Sequence, residues 1–165
     1  MRFYRLRNRL KEKTAGLGQS VGLALAEAVL LAAEAEFAKL SEDYPQWVLE
    51  QLERLQQQHR AAVAEPARSA LAFQAINEIA HDMRGQGSTF GYPLISTVGD
   101  SLYRFSQARA AYDDNQVEIV KAHVDAMRAV IQGRVKGDGG EIGRALIASM
   151  QRAIAKYAGA VGPVP

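Results

Sequence analysis

The chain has 165 residues, no cysteine and a formal net charge of +2. This length suits one domain with its own hydrophobic core, and the lack of cysteine excludes disulfides, thiolate catalysis and cysteine-ligated zinc. Apolar residues make up 48% of the sequence but aromatic residues only 7%. Because alanine, leucine, glutamate, glutamine and arginine dominate and all favour helix, we expect an aliphatic, helical core.

The first thirteen residues carry a concentrated positive charge, from Arg2, Arg5, Arg7, Arg9, Lys11 and Lys13. Such an arm can contact nucleic acid or an anionic membrane. We instead interpret residues 1–18 as a solvated, flexible leader and expect no nucleic-acid partner. Residues 19–157 are predicted to form a single helical domain, and residues 158–165, which are small residues and proline, a disordered tail.

The stretch from Val21 to Phe37 is the most apolar part of the chain, but Glu27, Glu34 and Glu36 interrupt it. A transmembrane helix needs about 20 residues with few or no charges, and a signal peptide needs an unbroken apolar centre. We therefore predict no membrane insertion, a cytoplasmic protein and a buried first helix.

Turn residues and helix-starting residues divide the chain into six predicted helices joined by short connections. They run from about Ser20 to Leu40, from a start near Pro45 to Ala64, from Ala67 to Gly87, from the turn at Pro93 to Ala111, from the caps Asp113 and Asp114 past Ile131, and from Glu141 to Tyr157. Ser41 is predicted to begin the first break, and Asp138 to cap the last helix. Several helices of this length predict an all-α, antiparallel helical bundle.

His81 lies on the third predicted helix, away from the apolar face. A helix turns by about 100° per residue. If Ile76 is the centre of the buried face, His81 lies about 140° away. The other apolar residues, which all lie within about 60° of Ile76, are Ala72, Phe73, Ile79, Ala80 and Met83. The spacing therefore predicts an exposed histidine.

Two neighbours of His81 are unusual for a helix surface. Gly85 costs roughly 1 kcal/mol relative to alanine inside a helix, but it lets the backbone of another protein approach the imidazole. Arg84 carries a forked set of donors that suits phosphate oxygens. The competing interpretation is that Gly85, Gly87 and Gly91 simply end the helix, and the residues alone leave both open.

Residues 81–91 read His-Asp-Met-Arg-Gly-Gln-Gly-Ser-Thr-Phe-Gly. A histidine, two residues, lysine or arginine, glycine, five residues and a final glycine form the motif of histidine-containing phosphotransfer (HPt) domains. The chain resembles that family at every fixed position of the motif, and Ala80 also matches. The resemblance is clearest from about Ala67 to Ala111.

The resemblance implies a bundle with a four-helix antiparallel core, here with one or more extra helices. It implies that His81 accepts a phosphoryl group from a receiver-domain aspartate and passes it to another response regulator. Arg84 would steady the phosphoryl oxygens and Gly85 would permit docking. Such a carrier has no kinase activity of its own.

The implied partners are receiver domains of response regulators and a hybrid or sensor histidine kinase. No cofactor is expected, because magnesium belongs to the receiver domain of the partner. We expect a monomer. The predicted docking face consists of the exposed residues around the histidine: Gln74, Asn77, Glu78, His81, Arg84, Gly85 and Ser88.

Two positions depart from the common form of the family. Many members have lysine where this chain has Arg84. Some place a glutamine on the next helix, near the histidine, and by spacing Tyr103 or Arg104 stands there in this chain.

Two other functions remain open from the sequence. The first is the dimerisation and phosphoacceptor segment of a histidine kinase, whose motif also continues from histidine to arginine but then favours threonine and proline, where this chain has Gly85 and Gln86. The second is a helical interaction module that is not phosphorylated. His59 and His123 are predicted to be core-edge or surface residues, and the three histidines share no metal-ligand spacing.

Overall fold

The computed structural model describes residues 18–65, 67, 69–107 and 114–158. They form five α-helices: α1 (Gly18–Ala64), α2 (Ser69–Gln86), α3 (Pro93–Ser106), α4 (Asp114–Gln132) and α5 (Gly140–Ala158). No strand occurs in these ranges, so the predicted all-α helical bundle is confirmed. Apart from Gly18 and Ala158, the predicted leader and tail lie outside the described residues.

The first helix is longer than the sequence predicts, because α1 continues without a break at Ser41 and contains Pro45. Proline removes one helical hydrogen bond and crowds the preceding turn. Tyr44 and Val48, on either side of it, are nevertheless buried, and the Tyr44 ring stacks on Phe90 with 4.7 Å between centroids. Tertiary packing therefore keeps this segment helical despite the proline.

The described residues before Asp43 form one unit and those from Asp43 onward form another. The boundary lies inside the range 19–157 that the sequence predicts as a single domain. In the first unit every residue from Ala26 to Leu40 is exposed, so the prediction of a buried first helix is wrong. Apolar composition favours burial, but burial requires a second element that covers the face. No helix in the described part of the chain is long and apolar enough to cross a membrane.

The core of the second unit joins the later half of α1 to the other four helices. All six predicted core residues of α2 are buried. Val63, near the end of α1, lies outside this core and is 53% exposed. The largest fully buried side chains include Leu52, Leu55, Phe73, Ile76, Met83, Tyr92, Ile95, Leu102, Ile119 and Met127.

Helices α2 and α3 pack closely and run antiparallel. The Ser88 backbone N–H, just after α2, donates to Ser96 Oγ early in α3 (2.8 Å). Asn77, in the middle of α2, donates to Ser106 Oγ at the end of α3 (2.8 Å). A Cβ atom on Gly99 would lie 2.9 Å from the backbone nitrogen of Arg84. This glycine therefore allows α3 to approach the turn of α2 that carries Arg84.

His123 is fully buried in α4, which corrects its predicted place at the surface or core edge. Its Nδ1 lies 2.7 Å from the Ile119 carbonyl oxygen and its Nε2 lies 2.9 Å from Ser101 Oγ. In the neutral ring these partners assign Nδ1–H as donor and Nε2 as acceptor of the serine hydroxyl. Burial lowers the pKa of His123, so the histidine joins α4 to α3 as a neutral residue.

The start of α5 agrees with the predicted role of Asp138. The backbone N–H of Gly140, where the helix begins, donates to Asp138 Oδ1 (3.0 Å). A carboxylate at this end satisfies one unpaired N–H group and suits the positive end of the helix dipole.

Candidate functional site

His81 lies on the exposed side of α2, as its spacing predicts. The imidazole is 57% exposed, whereas Ile79, Ala80 and Met83 beside it in sequence are buried. The buried neighbours anchor the helix in the core of the second unit, and the same helical period turns the histidine outward. The side chain therefore stands on a rigid element rather than on a loop.

The surroundings of the imidazole distinguish its two nitrogens. Nδ1 lies 3.5 Å from Asp82 Oδ1. One side of the ring faces Tyr103 of α3, with 5.5 Å between ring centroids and 58° between planes. Of the two residues that spacing places near the histidine, Tyr103 is the one in contact. Nε2 makes no hydrogen bond to any described residue and remains open to an incoming group.

Arg84 is held beside the histidine by contacts with α3. Its guanidinium carbon lies 4.5 Å from the centroid of the Tyr103 ring, a cation–π distance. Its Nη1 lies 3.5 Å from Asp100 Oδ1, and both side chains are about one-third exposed. The other oxygen of Asp100 forms a closer pair with Arg104 (2.9 Å). The Tyr103 ring thus contacts both His81 and Arg84. The Asp100 carboxylate pairs with Arg84 through one oxygen and with Arg104 through the other.

The three glycines of the motif occupy different environments. A Cβ atom on Gly85 would meet nothing within 4 Å, and α2 continues past this residue to Gln86. A Cβ atom on Gly87 would lie 2.6 Å from the backbone nitrogen of Ser96, so close packing requires glycine there. Gly91 has a φ of +82°, in the left-handed region that glycine adopts readily. Of these three positions, only position 85 could hold another residue without a conflict in the fold.

The other residues of the predicted docking face fall into two groups. Gln74, Glu78 and Ser88 are exposed, and Gln74 Nε2 donates to Glu78 Oε1 at 3.3 Å. Asn77 is half-buried, and its amide donates to the Tyr103 carbonyl oxygen (3.0 Å) as well as to α3 at Ser106. Its amide therefore joins α2 to α3 within the fold.

Sequence reasoning missed two members of this site, Gly99 and Asp100. Gly99 lies four residues before Tyr103, and Asp100 lies four residues before Arg104. Residues at this spacing share one face of a helix. That spacing was a usable signal for Asp100 and Arg104, whose charges are opposite. For Gly99 the sequence holds no such signal, because its role depends on the approach of α2.

The site combines an exposed nitrogen nucleophile, a positioned cation and an uncovered stretch of helix backbone. Among the described residues, no group of three histidine, aspartate or glutamate side chains is placed to hold a metal ion. The arrangement suits attack on an electrophile that another macromolecule presents, since the nucleophile projects from the surface and the cation beside it suits an anionic group.

No protein-family model matches the chain, and neither a curated protein nor a solved structure matches it.

Proposed function

We propose that this protein is a histidine-containing phosphotransfer protein, in which His81 accepts a phosphoryl group from a receiver-domain aspartate and passes it to another response regulator. The observation that carries the proposal is the open space at Gly85, one turn after the exposed histidine. A functional surface that admits another backbone accounts for a glycine that the fold does not require.

Comparison with Gly87 and Gly91 supports a docking role for Gly85. Gly87 and Gly91 both have structural reasons to be glycine, as their contacts and φ show. Alanine at position 85 would favour the helix by roughly 1 kcal/mol, and nothing within 4 Å would oppose its Cβ. A glycine at this position is therefore best explained by what must approach His81 from outside.

The chemistry begins at Nε2 of His81. Asp82, 3.5 Å from Nδ1, favours the tautomer with the proton on Nδ1 and the lone pair on Nε2. That lone pair attacks the phosphorus of the aspartyl phosphate in line. The N–P bond forms, the bond from phosphorus to the acyl oxygen breaks, and the partner aspartate leaves as a carboxylate. The proton stays on Nδ1, where Asp82 offsets the positive charge of the phosphorylated ring.

Arg84 would supply charge stabilisation for the transferred phosphoryl oxygens, because phosphoryl transfer depends mainly on positioning and electrostatics. Its stacking on Tyr103 keeps the guanidinium beside the histidine. Its pairing with Asp100 is long at 3.5 Å and partly exposed. Such pairs are weak, so the arginine can exchange the carboxylate for a phosphoryl group at little cost.

The proposed partners are receiver domains of response regulators and a hybrid or sensor histidine kinase that charges one of them. Magnesium would come with the receiver domain, and the chain itself would need no cofactor and no kinase activity. The proposed place of action is the cytoplasm, without nucleic-acid or membrane binding.

The test is transfer of labelled phosphate from a charged receiver domain to the full chain, compared between wild type and His81→Gln. His59→Gln is the matched control, since His59 is a half-buried histidine of α1 whose Nε2 contacts the Val117 carbonyl oxygen. We expect acid-labile, alkali-stable label on wild type and His59→Gln, and none on His81→Gln.

Two outcomes would replace the proposal with the alternatives left open by the sequence. Label acquired from ATP and a separate catalytic domain, but not from any receiver, would identify a phosphoacceptor segment of a histidine kinase. No label from several receivers or hybrid kinases, with receiver binding unchanged in His81→Ala, would identify an interaction module that is not phosphorylated.

A further inference from the structure

Tyr103 on α3 lies against two side chains of the site at once. The centroid of its ring is 5.5 Å from that of the His81 ring and 4.5 Å from the guanidinium carbon of Arg84. His81 and Arg84 are three residues apart on α2 and therefore share a face of that helix. Their ionic contacts go elsewhere, to Asp82 and to Asp100. The tyrosine ring is therefore a contact that the nucleophile and the cation share.

The backbone of Tyr103 is fixed by α2 and by its own helix. Its carbonyl oxygen accepts hydrogen bonds from the Asn77 amide (3.0 Å) and from Ser106 Oγ (3.1 Å). The preceding residue, Leu102, is fully buried, whereas Tyr103 itself is half-buried. The ring is therefore held on a rigid part of α3 at the edge of the core, where it can position other side chains.

The Arg84 guanidinium needs such a support to act on a phosphoryl group. Arginine has many rotamers, and holding one of them costs conformational entropy. The contact with Asp100 is long at 3.5 Å and partly exposed, and Asp100 lies closer to Arg104 (2.9 Å). The ring contact depends on the charge of the guanidinium. It therefore persists when the N–H groups turn from the carboxylate to phosphoryl oxygens.

We propose that Tyr103 is a positioning residue whose aromatic ring holds the Arg84 guanidinium beside His81 and thereby sets the rate of phosphoryl transfer. The inference rests on the proposed phosphotransfer function. The ring carries the effect and the hydroxyl group does not, because a cation–π attraction needs only the aromatic face. Receiver binding depends instead on the exposed residues of the docking face on α2, since Tyr103 is half-buried and already packed against two side chains.

The pairing also gives a reason for arginine at position 84. Lysine carries the same charge, but a guanidinium stacks on aromatic rings better than an ammonium group does. Arg84 and Tyr103 are the two positions at which the chain departs from the common form of the family that it resembles. The proposal makes these departures one coupled pair, in which the benefit of arginine over lysine requires the tyrosine ring.

The first test measures transfer of labelled phosphate at saturating receiver concentration, and receiver affinity separately. Tyr103→Leu should transfer at least about tenfold more slowly, because small displacements of a catalytic group are costly, and its Kd should stay within about twofold of wild type. Tyr103→Phe should match wild type. A wild-type rate for Tyr103→Leu, an equal loss in Tyr103→Phe, or a loss seen only in receiver binding would overturn the proposal.

The matched control is Tyr157→Leu. Tyr157 is also half-buried, and Lys156 Nζ lies 5.2 Å from the centroid of its ring, but the pair stands at the end of α5. Its removal should leave transfer unchanged. A loss equal to that of Tyr103→Leu would show that removing any such ring slows the protein, and would contradict a specific role for Tyr103.

Arg84→Lys tests whether the effect of the ring passes through the guanidinium. This change should slow transfer in the wild-type chain but have almost no further effect in Tyr103→Leu, because the ring contact is already lost there. Losses that multiply in the double variant would show that Tyr103 acts by another route. If Tyr103→Leu does not fold, the single change still decides, since a wild-type rate for Arg84→Lys would refute the coupled pair.

Two measurements without a receiver separate this inference from the proposed function. The Arg84 Nε–H signal in NMR spectra should be shifted upfield by the ring in wild type and Tyr103→Phe, but not in Tyr103→Leu. Phosphoramidate, which phosphorylates histidine and releases ammonia, should modify His81 more slowly in Tyr103→Leu. If both hold but no receiver labels wild type, the phosphotransfer function fails and the positioning role stands. If receivers label wild type and neither holds, the positioning role fails alone.

Discussion

Replacing Gly85 with glutamine should separate the stability of the protein from its proposed activity. Glutamine is a good helix former, and a Cβ atom at this position would meet nothing within 4 Å. The helix should therefore gain up to about 1 kcal/mol, which for a chain of this size raises Tm by roughly 2–4 °C. The same side chain would project beside His81 and exclude a docking backbone. We expect transfer at least tenfold slower, equivalent to about 1.4 kcal/mol.

Thermal unfolding followed by circular dichroism and the phosphate-transfer assay together test this prediction. Gly85→Ala should show the gain in stability with a smaller loss of transfer, because its side chain is shorter. Gly87→Ala should instead be destabilised, since its Cβ would lie 2.6 Å from the Ser96 nitrogen. Normal transfer by Gly85→Gln would refute the docking argument, and a lower Tm would refute the claim that the fold leaves this position free.

The remaining predictions concern residues that join the helices. Because burial lowers the pKa of His123 from its ordinary 6.5, its stabilising contribution is complete above that pH and is lost as pH falls towards the folded-state pKa. Urea unfolding at about pH 7.5 and 5.5 should show this decrease, and equal stability at both would contradict it. Asn77→Ala should lower the free energy of unfolding by about 1–3 kcal/mol, since it removes the two hydrogen bonds that the Asn77 amide donates to α3. A loss confined to receiver binding would argue for a surface role instead. Asp100→Asn should change the free energy of unfolding by less than about 1 kcal/mol. It should raise the fraction of phosphorylated protein at equilibrium, because the Asp100 carboxylate no longer draws Arg84 away from the phosphoryl group. An unchanged fraction in a quantitative transfer assay would show that Asp100 and the phosphoryl group do not compete for Arg84.

The order of apolar residues was enough to predict which face of α2 is buried and that His81 points outward. Both follow from helical periodicity, which depends only on the local backbone and on the order of apolar residues. The core residues of α2 were predicted correctly for the same reason. The different environments of Gly85, Gly87 and Gly91 were not predictable, because each depends on atoms distant in sequence or on a turn that the motif alone does not define.

The neighbours of His81, and the burial of each helix, depend instead on how the helices pack. Tyr103 contacts both His81 and Arg84 because α3 packs antiparallel on α2, and Gly99 permits that approach. Local rules also failed at Pro45, where core packing on both sides maintains a helix that propensity would end. A side chain is buried only when a second element covers it. An apolar pattern can therefore place His123 near a core or Leu30 on an apolar stripe, but the neighbouring helix determines whether water is excluded from either residue.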